Sequence, residues 1–405
     1  MKKVDLLVCG GGMVGLPLAI AAARGGLAVA VIDTLAPEKT LDAAFDGRVS
    51  ALAYASVRML EALGVWATLK PHSQPIAEIL VTDGKPGAPA SPFSLHFDAA
   101  ELGTSSLGHI AENRHIRSAL YSALPDGVEL IAPASVARLE VEPGKVIADL
   151  TGGETIEAML AVAADGRDSK LRAGQNIGVV GWSYPQTGIV ATVAHERPHN
   201  GVAYEHFLPS GPFAILPMTE NRSSLVWTER AAKAPAMLAL NKDDFNAEVA
   251  RRFGPHLGET HVVGGRWSYP LSFHLARDFV RPRFALAGDS AHGIHPIAGQ
   301  GLNLGLKDVA ALAETVLDAA RLGRDIGALD TLKRYERWRR FDALALAAST
   351  DALNRLFSND IAPLRHLRDL GMGIVDAIGP ARRFFMRHAG GDIGKLPRLL
   401  RGEAA

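Results

Sequence analysis

The chain has 405 residues, 48% hydrophobic and 21% charged, a globular balance that excludes a disordered or fibrous protein and suggests about two or three units sharing a large core. Lys plus Arg and Asp plus Glu each number 43, so the net charge is zero and gives no general pull toward nucleic acid. Glycine is the outlier, with 41 residues where average usage of about 7% gives roughly 28.

Cys9 is the single cysteine, which excludes an internal disulfide and a thiolate metal site and fits a small buried hydrophobe in a reducing compartment. Leu6 to Ala23 is a stretch of 18 uncharged residues that mimics a membrane span or a signal peptide. Asp5 interrupts the basic start, and Gly10, Gly11, Gly12, Gly15 and Pro17 break the run, so neither reading is adopted.

Those glycines have a more specific use. Val4–Cys9 reads as a buried strand, Leu16–Gly25 as a helix, and Leu27–Ile32 as a second strand ending at Asp33. Gly10-x-Gly12-x-x-Gly15 therefore lies between strand and helix, with an acid at the end of the next strand. The first glycine makes the tight turn, the second admits a pyrophosphate, the third lets helix and strand pack, and the acid accepts from a ribose. The helix N-terminus adds partial positive charge for the phosphates.

Further along, Ala43 to Trp66 reads as helical, with Asp46, Arg48 and Ser50 at its start. Residues 73–108 are rich in Pro, Ser and Gly and hold short β-like pieces, and Ala111–Leu124 reads as a helix. Val128–Ile131, Ser135–Val141, Val146–Leu150 and Leu160–Ala164 read as strands, the last running into Asp165-Gly166. Residues 180–275 alternate like antiparallel strands, with one helix at Lys242–Phe253. The α/β pattern returns with Phe284–Ala287, then Gly288-Asp289, then His295-Pro296-Ile297-Ala298-Gly299-Gln300-Gly301-Leu302-Asn303 opening a helix to about Leu322. The expected fold is α/β: a Rossmann-like nucleotide-binding domain (1–72, 101–179 and 276–328), an inserted antiparallel-sheet substrate domain (73–100 and 180–275), and a helical C-terminal region (329–405).

Gly10–Gly15, Asp165-Gly166 and Gly288-Asp289 together resemble the FAD-dependent aromatic hydroxylases of the para-hydroxybenzoate hydroxylase class. The fourteen residues from His295 to Asp308 narrow the resemblance to the ubiquinone-biosynthesis hydroxylases, as do Asp46-Gly47-Arg48, Glu205-His206-Phe207, Gly211-Pro212 to Leu216-Pro217, and Leu356–Asp360. Relatives often carry Glu where this chain has Asp33. The resemblance implies an FAD monooxygenase that hydroxylates the ring of a polyprenylated phenol or quinol, oxygen adding at flavin C4a before its transfer to the ring. It places FAD on Gly10, Gly12, Gly15, Asp33, Arg48, Asn113, Asp165, Gly288, Asp289, Gly301 and Asn303. It puts Pro296, Gly299 and Gln300 on the flavin and oxygen face, with no conventional base.

Several readings stay open at this stage. Arg48 either contacts FAD or pairs with Asp46; Asn113 either contacts FAD or starts a helix; Gln300 and Asn303 either bond the ring or cap the helix. Phe207, Phe213 and Leu216 are expected substrate-wall residues. His292 and His295 lack further ligands at metal spacing, so no metal is expected. Arg167, Lys170 and Arg172 read as a solvated face before a reductant's phosphate site. Gly152-Gly153 and Gly264-Gly265 lack the context of a second nucleotide fold, so NAD(P)H visits transiently or a reduced electron-transfer protein delivers electrons. The implied partners are a hydrophobic prenylated aromatic substrate, molecular oxygen and a multiprotein ubiquinone-biosynthesis assembly, in the cytoplasm with peripheral contact at the inner membrane. Residues 361–405 carry eight Lys/Arg and four acids, a balance of +4, and either touch membrane or protein or form a solvated bundle. A non-hydroxylating reductase of isoprenoid double bonds and a flavin-binding scaffold are the competing functions.

Overall fold

A computed structural model of the chain describes residues 1–42, 46–87, 91, 93–295, 297–359, 362–392 and 394–405. Pro296 lies outside the described residues.

The N-terminal strand β1 (Lys2–Cys9) is exposed at its start and buried at its end, and leads through the glycine turn to helix α1 (Gly15–Arg24) and strand β2 (Val29–Ile32). Next come β3 (Val49–Ala53), α2 (Tyr54–Ala62) and β4 (Ser73–Ile76), then β5 (Glu78–Asp83) and β6 (Ser94–Asp98). Residues 46–53 are thus not helical as expected, and 43–45 lie outside the described residues. Val49–Ala53 pairs antiparallel with β7 (Gly108–Glu112), a long-range partner that overrides its local helical spacing. Helix α3 (Asn113–Ser122) and strands β8 (Val128–Ile131), β9 (Val136–Glu142), β10 (Lys145–Leu150) and β11 (Thr155–Ala163) complete the first half.

The second half opens with β12 (Val179–His195), β13 (Val202–Leu208), β14 (Gly211–Met218) and β15 (Arg222–Arg230), followed by α4 (Lys242–Phe253) and β16 (Thr260–Ala276). Short strands β17 (Val280–Arg281), β18 (Phe284–Leu286) and β19 (His292–Gly293) precede the long helices α5 (Gln300–Arg321) and α6 (Leu329–Phe357). Helices α7 (Ala362–Ala377) and α8 (Gly379–Ala389) follow.

These strands form two large sheets. The first runs β17-β18-β11-β1-β2-β8, with β18, β11, β1, β2 and β8 parallel and the β9–β10 hairpin on β11. Its central strands are buried on both faces, as parallel sheets covered by helices require. The second runs β19-β16-β12-β15-β14-β13-β5-β6. One face of it packs on α4 through Ile189, Phe213, Ile215, Trp227 and Phe245. The other face meets β3 and β7 through Ala203, Met218 and Leu216, and the C-terminal helices through Phe207. Side chains alternate between faces along a strand, so this division fixes which residues look toward the nucleotide-binding half.

Candidate functional site

Four parallel neighbours, β2, β1, β11 and β18, end at Ile32, Cys9, Ala163 and Leu286. Asp33, Gly10, Asp165 and Gly288 lie one or two residues beyond those ends, so the separated motifs converge on one edge of the sheet. That edge is where open α/β sheets bind ligands.

The glycines there have distinct physical reasons. Gly10 has φ +116°, and a Cβ on it would stand 2.3 Å from the Ala164 carbonyl oxygen. A Cβ on Gly15 would stand 1.8 Å from the Gly10 carbonyl oxygen. Both are demanded by the protein itself. Gly12 differs: a Cβ there would meet nothing within 4 Å, so its bareness opens space for something other than protein. Helix α1 starts beside it with no side-chain cap and no acid in its first turn. Asp33 accepts from the Gly11 N–H at 2.6 Å and the Leu35 N–H at 2.7 Å, leaving each carboxylate oxygen a further lone pair for a ribose hydroxyl. Asp165 and Asp289 are exposed at the same edge.

The third motif is clamped to the first. A Cβ on Gly288 would press on Val14 at 3.0 Å, and one on Gly305 would press on Val14 at 2.8 Å. Gly299 has φ +61° and is the N-cap of α5, which also lacks a side-chain cap and a first-turn acid. A Cβ on Gly301 would meet nothing within 4 Å. Two uncapped, acid-free helix ends and two glycines facing open space fit the pyrophosphate and the anionic edge of a reduced flavin.

Other expected contacts lie differently. Asn303 has no capacity left for a cofactor. Its oxygen accepts from the Ala53 N–H and Ser56 hydroxyl, both at 2.8 Å, and its NH2 donates to the Ala51 and Gly299 carbonyls at 2.8 and 3.2 Å. Four bonds exhaust an amide, so Asn303 positions the Gly299 loop against β3 rather than touching a ring. Gln300 donates to the Ala389 carbonyl at 3.3 Å, linking the loop to α8. Arg48 pairs with Asp46 at 2.6 Å, and burial of Asp46 is outweighed by Arg48 and Arg117, which hold its carboxyl below the usual range. Asn113 is buried, is the first residue of α3 rather than its cap, and accepts from the Ser50 hydroxyl at 2.7 Å.

Of the expected wall residues, Phe207 and Leu216 share the face toward β3 and the C-terminal helices. Phe213 does not. It is fully buried in the core under α4, because it sits one residue out of phase with Leu216 along β14. Arg172 is not a solvated charge: it donates to the Ser290 carbonyl at 2.9 Å, and Arg167 donates to Ser272.

Sequence reading missed the residue that holds the third motif together. Asp308, fully buried at the end of the fourteen-residue block, accepts from the Gly288 N–H at 3.0 Å, His292 Nε2 at 2.6 Å and Arg339 Nε at 2.8 Å. Burial opposes its charge, but His292 and Arg339 hold the carboxyl below its ordinary value. His295 was read only as a non-ligand. Its ring is 1% exposed and neither nitrogen has a hydrogen-bond partner among the described residues. Burial pushes it down to about 4, so it is neutral. Tyr184 meets it edge-on at 5.1 Å and donates to Asp351 at 2.9 Å. His295 stands in the loop ahead of α5 and Asp308 on the buried side of α5 itself, each a polar residue enclosed by the core.

The sequence matches a family model described as an FAD binding domain over residues 3–348. It is 50% identical to ubiquinone hydroxylase UbiL of Rhodospirillum rubrum, over 99% of this chain and 93% of that one. It is 35% identical to the 3-demethoxyubiquinol 3-hydroxylase of Escherichia coli, over 96% of this chain and 98% of that one. Among solved structures, p-nitrophenol 4-monooxygenase PnpA of Pseudomonas putida superposes with a TM-score of 0.79 at 18% identity, over 98% of this chain and all of that one, a likeness of fold.

Proposed function

The chain belongs to the family of FAD-dependent hydroxylases of ubiquinone biosynthesis, and from that premise we propose that it hydroxylates the aromatic ring of a phenol or quinol bearing a polyprenyl tail. The observation that carries this reading is the convergence of Gly12, the α1 end, Gly301 and the α5 end on one sheet edge, beneath the face of the second sheet that bears Leu216 and Phe207.

FAD, when bound, supplies the redox chemistry that passes one oxygen atom of O2 to the ring. The protein's residues do the rest. Gly10, Gly12 and Gly15 shape the pyrophosphate turn, and Asp33 and Asp289 offer carboxylates to the ribose and ribityl hydroxyls. Asn303 and Asp308 fix the Gly299–Gly301 and Gly288–Ser290 segments, so that the α5 end would be held toward a bound flavin. Leu216 and Phe207 exclude water from the ring's side.

Gly152-Gly153 lies in the β10–β11 turn and Gly264-Gly265 within β16, and neither opens a helix, which supports electrons reaching the site from NAD(P)H in transient contact or from a reduced electron-transfer protein rather than from a second dinucleotide fold. The substrate's tail calls for an apolar route. Exposed Phe93, Ile374, Ile378, Phe384 and Phe385, beside exposed Arg383 and Arg387, support a peripheral contact with an anionic bilayer at α7 and α8. Among the described residues no helix is long and apolar enough to cross a membrane.

The test is turnover of the FAD-loaded enzyme under 18O2 with a short-tailed prenylphenol and NADPH. One 18O atom in the product ring is the expected result. Saturation of a tail double bond without label would establish the reductase in its place.

A further inference from the structure

Strand β13 carries an acid where its pattern calls for an apolar residue. Ala203, Glu205 and Phe207 alternate onto one face, and Glu205 stands in register with Ala214 on β14 and Val81 on β5. Ala203 belongs to the cluster that includes Val49 and Ala51 of β3, and a Cβ at Gly299 would stand 3.0 Å from that of Ala51. Phe207 stacks on Phe357 of α6 at 4.1 Å. Glu205 is therefore held between the Gly299 side of the nucleotide-binding half and the C-terminal helices, part-buried, with no hydrogen bond or ion pair to it among the described residues.

The other charges on that face are closed on one another. Asp83 pairs with Arg368 beyond Phe207, Glu112 with Arg114 and Arg222 beyond Met218, and Asp351 of α6 with Arg355. His206 lies on the opposite face, bonded to Thr82. None of them neutralises Glu205, and burial alone pushes its carboxyl up to about 7. A carboxyl left without a partner on an apolar wall costs stability unless something arrives to meet it.

We propose that Glu205 is the residue that receives a ring hydroxyl of the aromatic substrate and accepts its proton, an assignment that rests on the phenolic substrate proposed above. The phenolic O–H bond breaks, a new O–H bond forms on a Glu205 carboxylate oxygen, and the electron pair stays on the ring oxygen, where it raises the electron density of the ring. No oxidant or reductant is consumed in this step.

The experiment uses the full chain with FAD bound, wild type and Glu205→Gln, with 2-octylphenol and its methyl ether as probes. Equilibrium dialysis is expected to give about tenfold tighter binding of the phenol than of the ether by wild type at pH 8, with the preference shrinking at pH 6 and absent in Glu205→Gln at both. Infrared titration is expected to show a protonated-carboxyl band with a midpoint at about 7 that Glu205→Gln lacks. kcat of the variant for ring 18O incorporation is expected to fall about 10²- to 10⁴-fold, with loss of the acid limb of its pH profile. Equal binding of phenol and ether by wild type, a carboxyl titrating near the ordinary 4.3, or an unchanged kcat and pH profile in the variant would each overturn the role of Glu205 while leaving hydroxylation intact. Absence of ring 18O incorporation by wild type with any phenol would instead remove the hydroxylase reading, and the binding and infrared arms still decide Glu205. Flavin absorbance of the purified variant reports that it folds and holds FAD.

Discussion

Gly12 and Gly15 belong to one loop and are glycine for different reasons. At Gly15 an added methyl would overlap the Gly10 carbonyl at 1.8 Å, so Gly15→Ala is expected to lower the melting temperature of the FAD-free protein or prevent its folding. At Gly12 the methyl would enter open space, so Gly12→Ala is expected to keep the wild-type melting temperature without FAD. Its FAD affinity should fall at least about tenfold, because the methyl occupies the pyrophosphate's place. Thermal unfolding and a flavin fluorescence titration on the two variants check this split. Asp308 is the complementary case, a side chain required by its neighbours. Asp308→Asn removes the carboxylate that His292 meets and one of the two that Arg339 meets, Asp342 being the other, and should cost about 3–5 kcal/mol. The folded Asp308 carboxyl titrates below its unfolded value of about 3.9, so its stabilisation is complete above that pH and disappears as pH falls through the folded value. The melting-temperature gap between wild type and variant is therefore wide and constant at neutral pH and closes only in acid below about pH 4.

At the scale of elements, Arg368 of α7 is buried against β5. Its Nη2 meets Asp83 Oδ2 at 2.7 Å, its Nη1 donates to the Leu356 carbonyl at 2.7 Å, and its guanidinium lies 5.4 Å from the Phe357 ring centre. Breaking a buried ion pair is costly, so Arg368→Ala should destabilise by about 3–5 kcal/mol in urea unfolding. Nothing in the sequence brings Asp83 and Arg368 together, and the same holds for the pairing that makes Val49–Ala53 a strand. What the sequence did reveal is local: the Gly10–Gly15 turn with its flanking strands and acid, the helix Lys242–Phe253, and the strand Val128–Ile131, each specified by residues within its own span. Phe213 and Leu216 show the limit. Alternation along β14 already separated them onto two faces, but which face looks toward the nucleotide-binding half depends on what packs against the sheet. Asn303 was expected from its block to contact FAD, and its bonds to the Ala53 N–H and the Ala51 carbonyl became visible only when β3 was in place.

On the scale of the whole molecule, the zero net charge hides an uneven surface. Phe384 is 55% exposed and Phe385 46%, next to exposed Arg383 and Arg387 on α8, with Ile374 and Ile378 of the preceding turn 50% and 48% exposed. Arg382, by contrast, faces inward and pairs with Glu101 at 2.9 Å, which fixes α8 against the rest of the chain and leaves its other face outward. Each phenylalanine buried in a bilayer interface is worth about 1.5–3 kcal/mol and each basic residue near an anionic surface about 1 kcal/mol. These values separate the two contributions by experiment. Phe384→Ser with Phe385→Ser should reduce co-sedimentation with phosphatidylglycerol vesicles at least about tenfold, at low and high salt alike. Arg383→Gln with Arg387→Gln should reduce it about tenfold at low salt and have little effect at high salt or on phosphatidylcholine vesicles, because that part is screened over a Debye length of about 10 Å at 0.1 M. Equal sedimentation of all three proteins would return α7 and α8 to an ordinary solvated bundle. Because α8 also carries the Ala389 carbonyl that receives Gln300, membrane contact at this face would sit one hydrogen bond from the flavin loop, placing the tail of a lipid-dissolved substrate near the ring it must present.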